Sequence, residues 1–152
     1  MSKNPKLPLS LEEKGKLRKA KVKIGEIHKL STSQIRKTLD VPEERARMIK
    51  GLADFQTVPS VGFELASKLV NDLYIFSLQE IIQKDGATLF DLLEKELGVW
   101  TDSCVEDQIR CVINYANNTN SNKQWFDFTD ERKIYRQMYG YPKDRPQKAW
   151  YE

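Results

Sequence analysis

The sequence predicts an all-α protein, a compact helical domain, and three observations carry that prediction. Apolar residues recur at i, i+3 and i+4 in one segment after another, the spacing that lines one face of a helix. Capping residues stand just before several of these segments, and glycines or prolines interrupt the chain between them. Nothing along the chain asks for a β-sheet.

Each element has its own local signal. Residues 1–9 combine Pro5 and Pro8 with lysines and an asparagine, and are expected to form a mobile lead. Ser10 followed by Glu13 has the form of a capping box, opening a helix through about Ala20. Ser31 or Ser33 caps a short helix ending near Leu39. Pro42 suits the first turn of the next helix, where Glu43 and Glu44 complement the positive end. That helix continues through Ala46, Ile49, Leu52 and Ala53 to about Gln56.

Helix resumes after Gly62, with Leu65, Ala66, Leu69 and Val70 on one face, and Ser77 caps a short helix that Lys84-Asp85-Gly86 breaks. A longer helix follows from about residue 87 to Leu97, with Gly98 as its terminator. Asp102 or Ser103 opens a helix to about Ala116, striped by Val105, Ile109, Val112 and Ile113. Residues 117–122 are a polar loop, Thr129 caps a last helix to Tyr139, and Gly140 stops it. Residues 141–152 contain prolines and show no period.

A chain of 152 residues, 39% hydrophobic and 31% charged, has the size and composition of one globular domain. No stretch approaches a membrane span, and the first lysines lead into no apolar signal segment. Cys104 and Cys111 lie seven residues apart in a helical pattern, about 10.5 Å along the axis, too far to bridge. Reduced thiols and a cytoplasmic location are the expectation. With the single His28 the two cysteines are too few and badly spaced for structural zinc, and no cofactor is expected.

Charge is unevenly spread: the overall +3 divides into +8 over residues 1–50 and −5 over the remainder. The basic run Lys14, Lys16, Arg18, Lys19, Lys21 and Lys23 is either a solvated face or a phosphate-contacting one. Three parts are expected: a basic N-terminal arm with one helix (1–29), a helical domain (30–122) and an aromatic-rich segment packed on it (123–152).

A shift of twenty residues aligns Ile35, Thr38, Val41, Ala46 and Ile49 with Phe55, Val58, Val61, Ala66 and Leu69. The two stretches read as one helix-turn-helix unit in tandem, sharing the middle helix. In the second unit Pro59 stops the incoming helix, and Val61 plugs the turn into the core. Gly62 permits positive φ or close backbone approach, and Ala66 lets the helices cross at short range.

The stretch Val58-Pro59-Ser60-Val61-Gly62, with Ala66 four residues on, resembles the helix-hairpin-helix family, whose hairpin pattern is an apolar residue, Pro, Gly, an apolar residue, Gly. Ser60 replaces the first glycine, Glu64 stands where a basic residue would help a phosphate, and the first unit, Asp40-Val41-Pro42-Glu43, has neither glycine.

Downstream stand Val99-Trp100-Thr101-Asp102-Ser103-Cys104, Arg110, Tyr115-Ala116-Asn117 and Lys123-Gln124-Trp125-Phe126-Asp127-Phe128. Together with the hairpin they resemble a bacterial helix-hairpin-helix group, the pathogenicity-locus or mitomycin-resistance-like family, over about residues 30–152. The resemblance implies a bacterial source and tandem helix-hairpin-helix-like units in a compact, SAM-domain-like arrangement with a C-terminal helical segment.

Such a hairpin implies sequence-independent binding of a nucleic-acid backbone, DNA before RNA, by the amides of Ser60, Val61 and Gly62 with Lys68 and the N-terminal run. The alternative is a protein–protein interaction module on the same scaffold, with no nucleic acid bound. No Walker loop, HExxH or dinucleotide fingerprint occurs, so no enzyme activity is expected. Asp102, Glu106 and Asp107 are expected to serve a helix start. Eight of the fifteen aromatic residues fall in the last thirty positions, where they either pack a terminal segment or stack on bases. Trp150-Tyr151 needs a docking site on this chain or another.

Overall fold

A computed structural model describes residues 4–152, and its regular elements are all helical. In order they are α1 (Leu11–Lys19), a 3-10 turn (Ile24–Lys29), α2 (Thr32–Leu39), α3 (Glu43–Phe55) and α4 (Phe63–Ser67), which runs on as a π-helical turn (Lys68–Asp72). Then come α5 (Leu78–Ile81), α6 (Gly86–Leu97), α7 (Ser103–Asn117), a 3-10 turn (Trp125–Phe128) and α8 (Thr129–Tyr139). No described helix is long and apolar enough to cross a membrane.

Most helix starts follow the local chemistry. Ser10 and Glu13 form a reciprocal capping box, Ser31 rather than Ser33 caps α2, Ser77 caps α5, and Asp102 caps α7. Asp85, in the segment expected only to break a helix, accepts from the Thr88 N–H and starts α6. Two expected starts move. Pro42 is the N-cap of α3 rather than its first residue. Thr129 is the first residue of α8, and its hydroxyl donates to Asp107 across to α7 at 2.9 Å instead of capping its own helix.

Where it is described, the lead is docked along α3. Lys6 exchanges backbone hydrogen bonds with the Gln56 side chain at 3.0 and 2.9 Å, and the Pro8 carbonyl accepts from Arg45 at 2.6 Å. The strap therefore runs along α3 from its end back to its first turn. Leu7 and Leu9 pack against the core on the way. Residues 1–3 of the expected mobile lead lie outside the described residues.

Two apolar clusters meet at α3. One joins Leu17, Ile27, Ile35, Leu39, Ala46 and Ile49, and the other joins Leu52, Phe55, Val58, Leu65, Leu69, Phe90, Leu93, Ile109 and Val112. Gly51 lets α3 and the π-helical turn approach closely, because a Cβ there would stand 2.9 Å from the Val70 methyl. Nothing in the apolar periodicity of the sequence signals that contact.

The layer of α6, α7, α8 and the tail is held by buried ion pairs. Glu106 is fully buried on α7 and accepts from Arg136 of α8 at 2.9 Å and from Arg110 at 2.9 and 3.1 Å. Arg136 also pairs with Asp91 of α6 at 2.9 Å. Asp107 takes Arg132 at 2.6 Å, and buried Glu94 takes Arg145 at 2.7 and 2.9 Å together with the Thr101 N–H at 2.7 Å. The carboxylate partners raise the pKa values of Arg132 and Arg145.

Tyr141 lies between two guanidinium groups, Arg136 at 4.1 Å and Arg145 at 3.8 Å from its ring centre. The tail then adds a single parallel bridge, Trp100 with Ala149. Removing one member of such a cluster strands its partners in the interior. Arg136→Met is expected to lower the unfolding free energy by about 3–5 kcal/mol in urea melts. A loss below about 1 kcal/mol, the range of exposed pairs, would show that the cluster does not hold the layer.

Candidate functional site

The hairpin between α3 and α4 is anchored from inside. Val58 and Val61 are buried, and the Val61 N–H donates to the Val58 carbonyl at 3.1 Å. Ser60 carries the positive φ, +65°, whereas Gly62 is extended at φ −106°. The left-handed position is thus that of Ser60, the residue that departs from the hairpin pattern, and of the two roles expected for Gly62, positive φ or close backbone approach, neither occurs.

The Ser60 hydroxyl has a partner in that conformation. Ser60 Oγ accepts the Trp125 N–H at 2.9 Å, tying the hairpin to the 3-10 turn before α8. Beneath it the Cys111 thiol donates to the Pro59 and Lys123 carbonyls at 3.7 and 3.5 Å. Burial pushes the Cys111 thiol up to about 11, and burial followed by Asp102 does the same to Cys104.

A second left-handed residue stands twenty positions earlier, directly at the end of α2, whereas residues 56–59 separate the end of α3 from Ser60. Asp40 has φ +55°, and Val41 and Pro42 lead into α3 as Val61 and Gly62 lead into α4. Three of the five aligned pairs are buried in both stretches, Ile35 and Phe55, Ala46 and Ala66, Ile49 and Leu69, whereas Thr38 and Val41 are only partly buried opposite buried Val58 and Val61.

Beside the hairpin opens a cleft of ≈ 540 Å³ bounded by four separate stretches of chain. Lys6 comes from the strap, Gly62, Phe63, Glu64 and Lys68 from the α4 side, Asp102, Cys104 and Gln108 from α7, and Trp150 from the tail. A Cβ placed on Gly62 would meet nothing within 4 Å, and no side chain caps the first turn of α4. Gly62 therefore meets neither a φ requirement nor a packing requirement; its missing side chain leaves that wall of the cleft open. Lys6 lies 5.5 Å over the Phe63 ring.

Only part of the expected constellation comes together. Gly62 and Lys68 line the cleft; Ser60 is exposed outside it with its hydroxyl on the Trp125 N–H, and the Val61 N–H is taken by the Val58 carbonyl. The N-terminal run stands at the far end of α3, because Glu13 of α1 pairs with Arg45 in its first turn at 2.8 Å. The 13 residues of α3 put about 20 Å between that end and the hairpin. Within the run Lys16 is occupied by the Leu39 carbonyl at 3.2 Å and by Glu12 and Asp40. Lys14, Arg18, Lys19, Lys21 and Lys23 are exposed and make no ion pair among the described residues.

Asp102 caps α7 and Glu106 lies in its first turn as expected, but Glu106 and Asp107 are also buried partners of arginines. Among the described residues no three His, Cys, Asp or Glu side chains are grouped to hold a metal. Sequence reasoning missed Lys6, Phe63 and Gln108, which sit in three segments that only tertiary packing brings to one cleft.

These features describe a small all-helical protein with an anchored hairpin beside an open cleft. The chain belongs to the Cdd1 pathogenicity locus family, which it matches over residues 48–134, more than half its length. No curated protein and no solved structure matches it.

The competing demands on Ser60 give a measurable sign. Ser60→Ala keeps a non-glycine residue in the left-handed backbone and removes the acceptor, so it is expected to cost about 1 kcal/mol in urea unfolding. Ser60→Gly loses the same acceptor but relieves about 1–2 kcal/mol of backbone strain, and should unfold close to the parent. Equal losses in both variants would refute the strain at Ser60.

The thiols offer a pH test. A pKa raised to about 11 leaves little thiolate near neutrality, so Cys104 and Cys111 should react slowly with a disulfide reagent there and faster as pH rises. Rapid labelling at neutral pH would contradict both assignments.

Proposed function

We propose that this chain binds a nucleic-acid backbone without reading its sequence, through the cleft beside the Ser60–Gly62 hairpin, as a non-enzymatic accessory protein. The observation that carries the reading is Gly62, a residue without a side chain where the fold does not need its absence, on the wall of a cleft that also holds Lys6 and Lys68. The Ser60 and Val61 groups act by holding the turn in shape rather than by touching phosphate. The paired left-handed turns at Asp40 and Ser60 support reading the two stretches as tandem helix-hairpin-helix-like units.

Lysines on an open cleft give salt-dependent and sequence-independent contacts, since phosphate contacts position a protein and carry no base identity. The exposed Lys14, Arg18, Lys19, Lys21 and Lys23 join only on longer ligands. At 3.4 Å per phosphate along a strand, the separation of about 20 Å corresponds to about six phosphates. Glu64, also in the cleft, keeps the grip weak.

Fluorescence anisotropy with labelled DNA at low and high salt tests the reading. The parent protein is expected to bind, with affinity falling as salt rises. Gly62→Asp supplies an N-cap for α4 and should keep or slightly raise thermal stability, yet weaken binding at least about tenfold by filling the open wall with negative charge. Glu64→Gln should strengthen it. Absence of binding at low salt, or parental binding by Gly62→Asp, would reject the reading.

A protein–protein module is the second reading, and α8 favours it. Ile134, Met138 and Tyr139 are 63%, 72% and 69% exposed on that helix. Its mark would be a complex lost on Ile134→Glu in a protein that ignores nucleic acid.

A further inference from the structure

We propose that Trp150 is a stacking platform for an unpaired nucleobase, so that the cleft takes single-stranded nucleic acid in preference to duplex; this rests on the nucleic-acid reading above. The platform is built in three steps: a fixed backbone, an exposed ring and flanking cations.

The backbone of Trp150 is not a loose end. Its N–H donates to the Trp100 carbonyl at 2.9 Å, the Trp100 N–H donates to the Lys148 carbonyl at 2.9 Å, and Ala149 between them is buried. Glu152 closes the turn from both sides, its N–H donating to the Ala149 carbonyl at 3.1 Å and its carboxylate accepting the Ala149 N–H at 2.6 Å.

On that fixed backbone the Trp150 side chain remains 54% exposed. It stands edge-to-face with Tyr151 at 5.6 Å, and Tyr151 stands edge-to-face with Trp100 at 5.7 Å. The tail is thus anchored by Ala149 and the backbone bonds to Trp100, and neither requires an indole at the rim of the cleft. An apolar ring held there without burial matches the aromatic shelves on which bases stack irrespective of sequence.

The surroundings fit one nucleotide and its neighbours. The cleft of ≈ 540 Å³ is within the size range of small-ligand sites. Phe63 adds a second ring, and Lys6 and Lys68 supply cations for the phosphates on either side. Glu64 and Asp102 oppose a phosphate buried deep in the cleft, but a base offers them N–H donors. A duplex keeps its bases paired and stacked, and presents nothing to the shelf.

The full-length protein is titrated with a labelled strand of about twelve nucleotides, the matching duplex, and a free nucleoside monophosphate, at low salt. The expected result is tighter binding of the strand than of the duplex, and weaker binding of the monophosphate, which lacks the second phosphate contact. Trp150→Ala should weaken the strand about tenfold to a hundredfold, the loss of one base stack, and leave the duplex unchanged. Trp150→Phe should restore most of the affinity, and unaltered thermal melting of both variants would separate stacking from folding. Equal binding of strand and duplex, or a strand affinity insensitive to Trp150→Ala, overturns the stacking inference. In that event sensitivity to Gly62→Asp leaves the phosphate reading standing. Binding of neither form of DNA overturns both.

Discussion

The C-terminal half of this protein depends on carboxylates that cannot reach water. Glu94, Glu106 and Asp107 are at most 1% exposed, and each is paired with an arginine from a different part of the chain. An unpaired charge at that depth would cost more than most single contacts contribute, so the arginines must be in place for the layer to exist. Arg136 connects most: it reaches Glu106 on α7, Asp91 on α6 and the Gly140 carbonyl that ends its own helix. Arg145 extends the same logic to the tail, and through Glu94 to the Thr101 amide beside the α7 cap. No buried side-chain polar atom among the described residues lacks a partner, as such a network requires.

The cleft depends on this arrangement. Its α7 wall is fixed by the Asp102 cap and the Glu94–Thr101 contact, its tail wall by the Trp100–Ala149 bridge, and its hairpin wall by Ser60 and Cys111. Each wall is held by at least one hydrogen bond to a residue outside the cleft. The side chains of Lys68 and Trp150 that face the opening make none of these bonds, although the Trp150 backbone takes part in the tail bridge.

Helices were the legible part of the sequence, because their signals are local. Ser10 with Glu13, Ser31, Asp102, Gly98 and Gly140 act within a turn of where they stand, and period and cap coincide there. Thr129 shows where local logic ends: a capping residue by type, it bonds Asp107 on another helix instead. Ser60 was visible as a departure, but not its αL backbone nor the Trp125 amide that rewards its hydroxyl, since that partner is 65 positions away. Glu106 and Asp107 read as helix-start carboxylates because sequence does not show which acids will be covered. The cleft was half legible: Gly62 and Lys68 share a hairpin, whereas Lys6 and Trp150 come from opposite ends of the chain.

The burial of the arginine network has a consequence for how the protein responds to its solution. Ions screen exposed charges over a Debye length of about 8 Å at physiological strength, and they screen enclosed pairs far less. The Glu106–Arg136 and Asp107–Arg132 pairs lie inside, whereas the lysines of the first fifty residues mostly stand in solvent. Raising the ionic strength therefore weakens the outward electrostatics while the internal framework keeps its strength. The molecule carries two electrostatic systems, one tuned by its medium and one insulated from it.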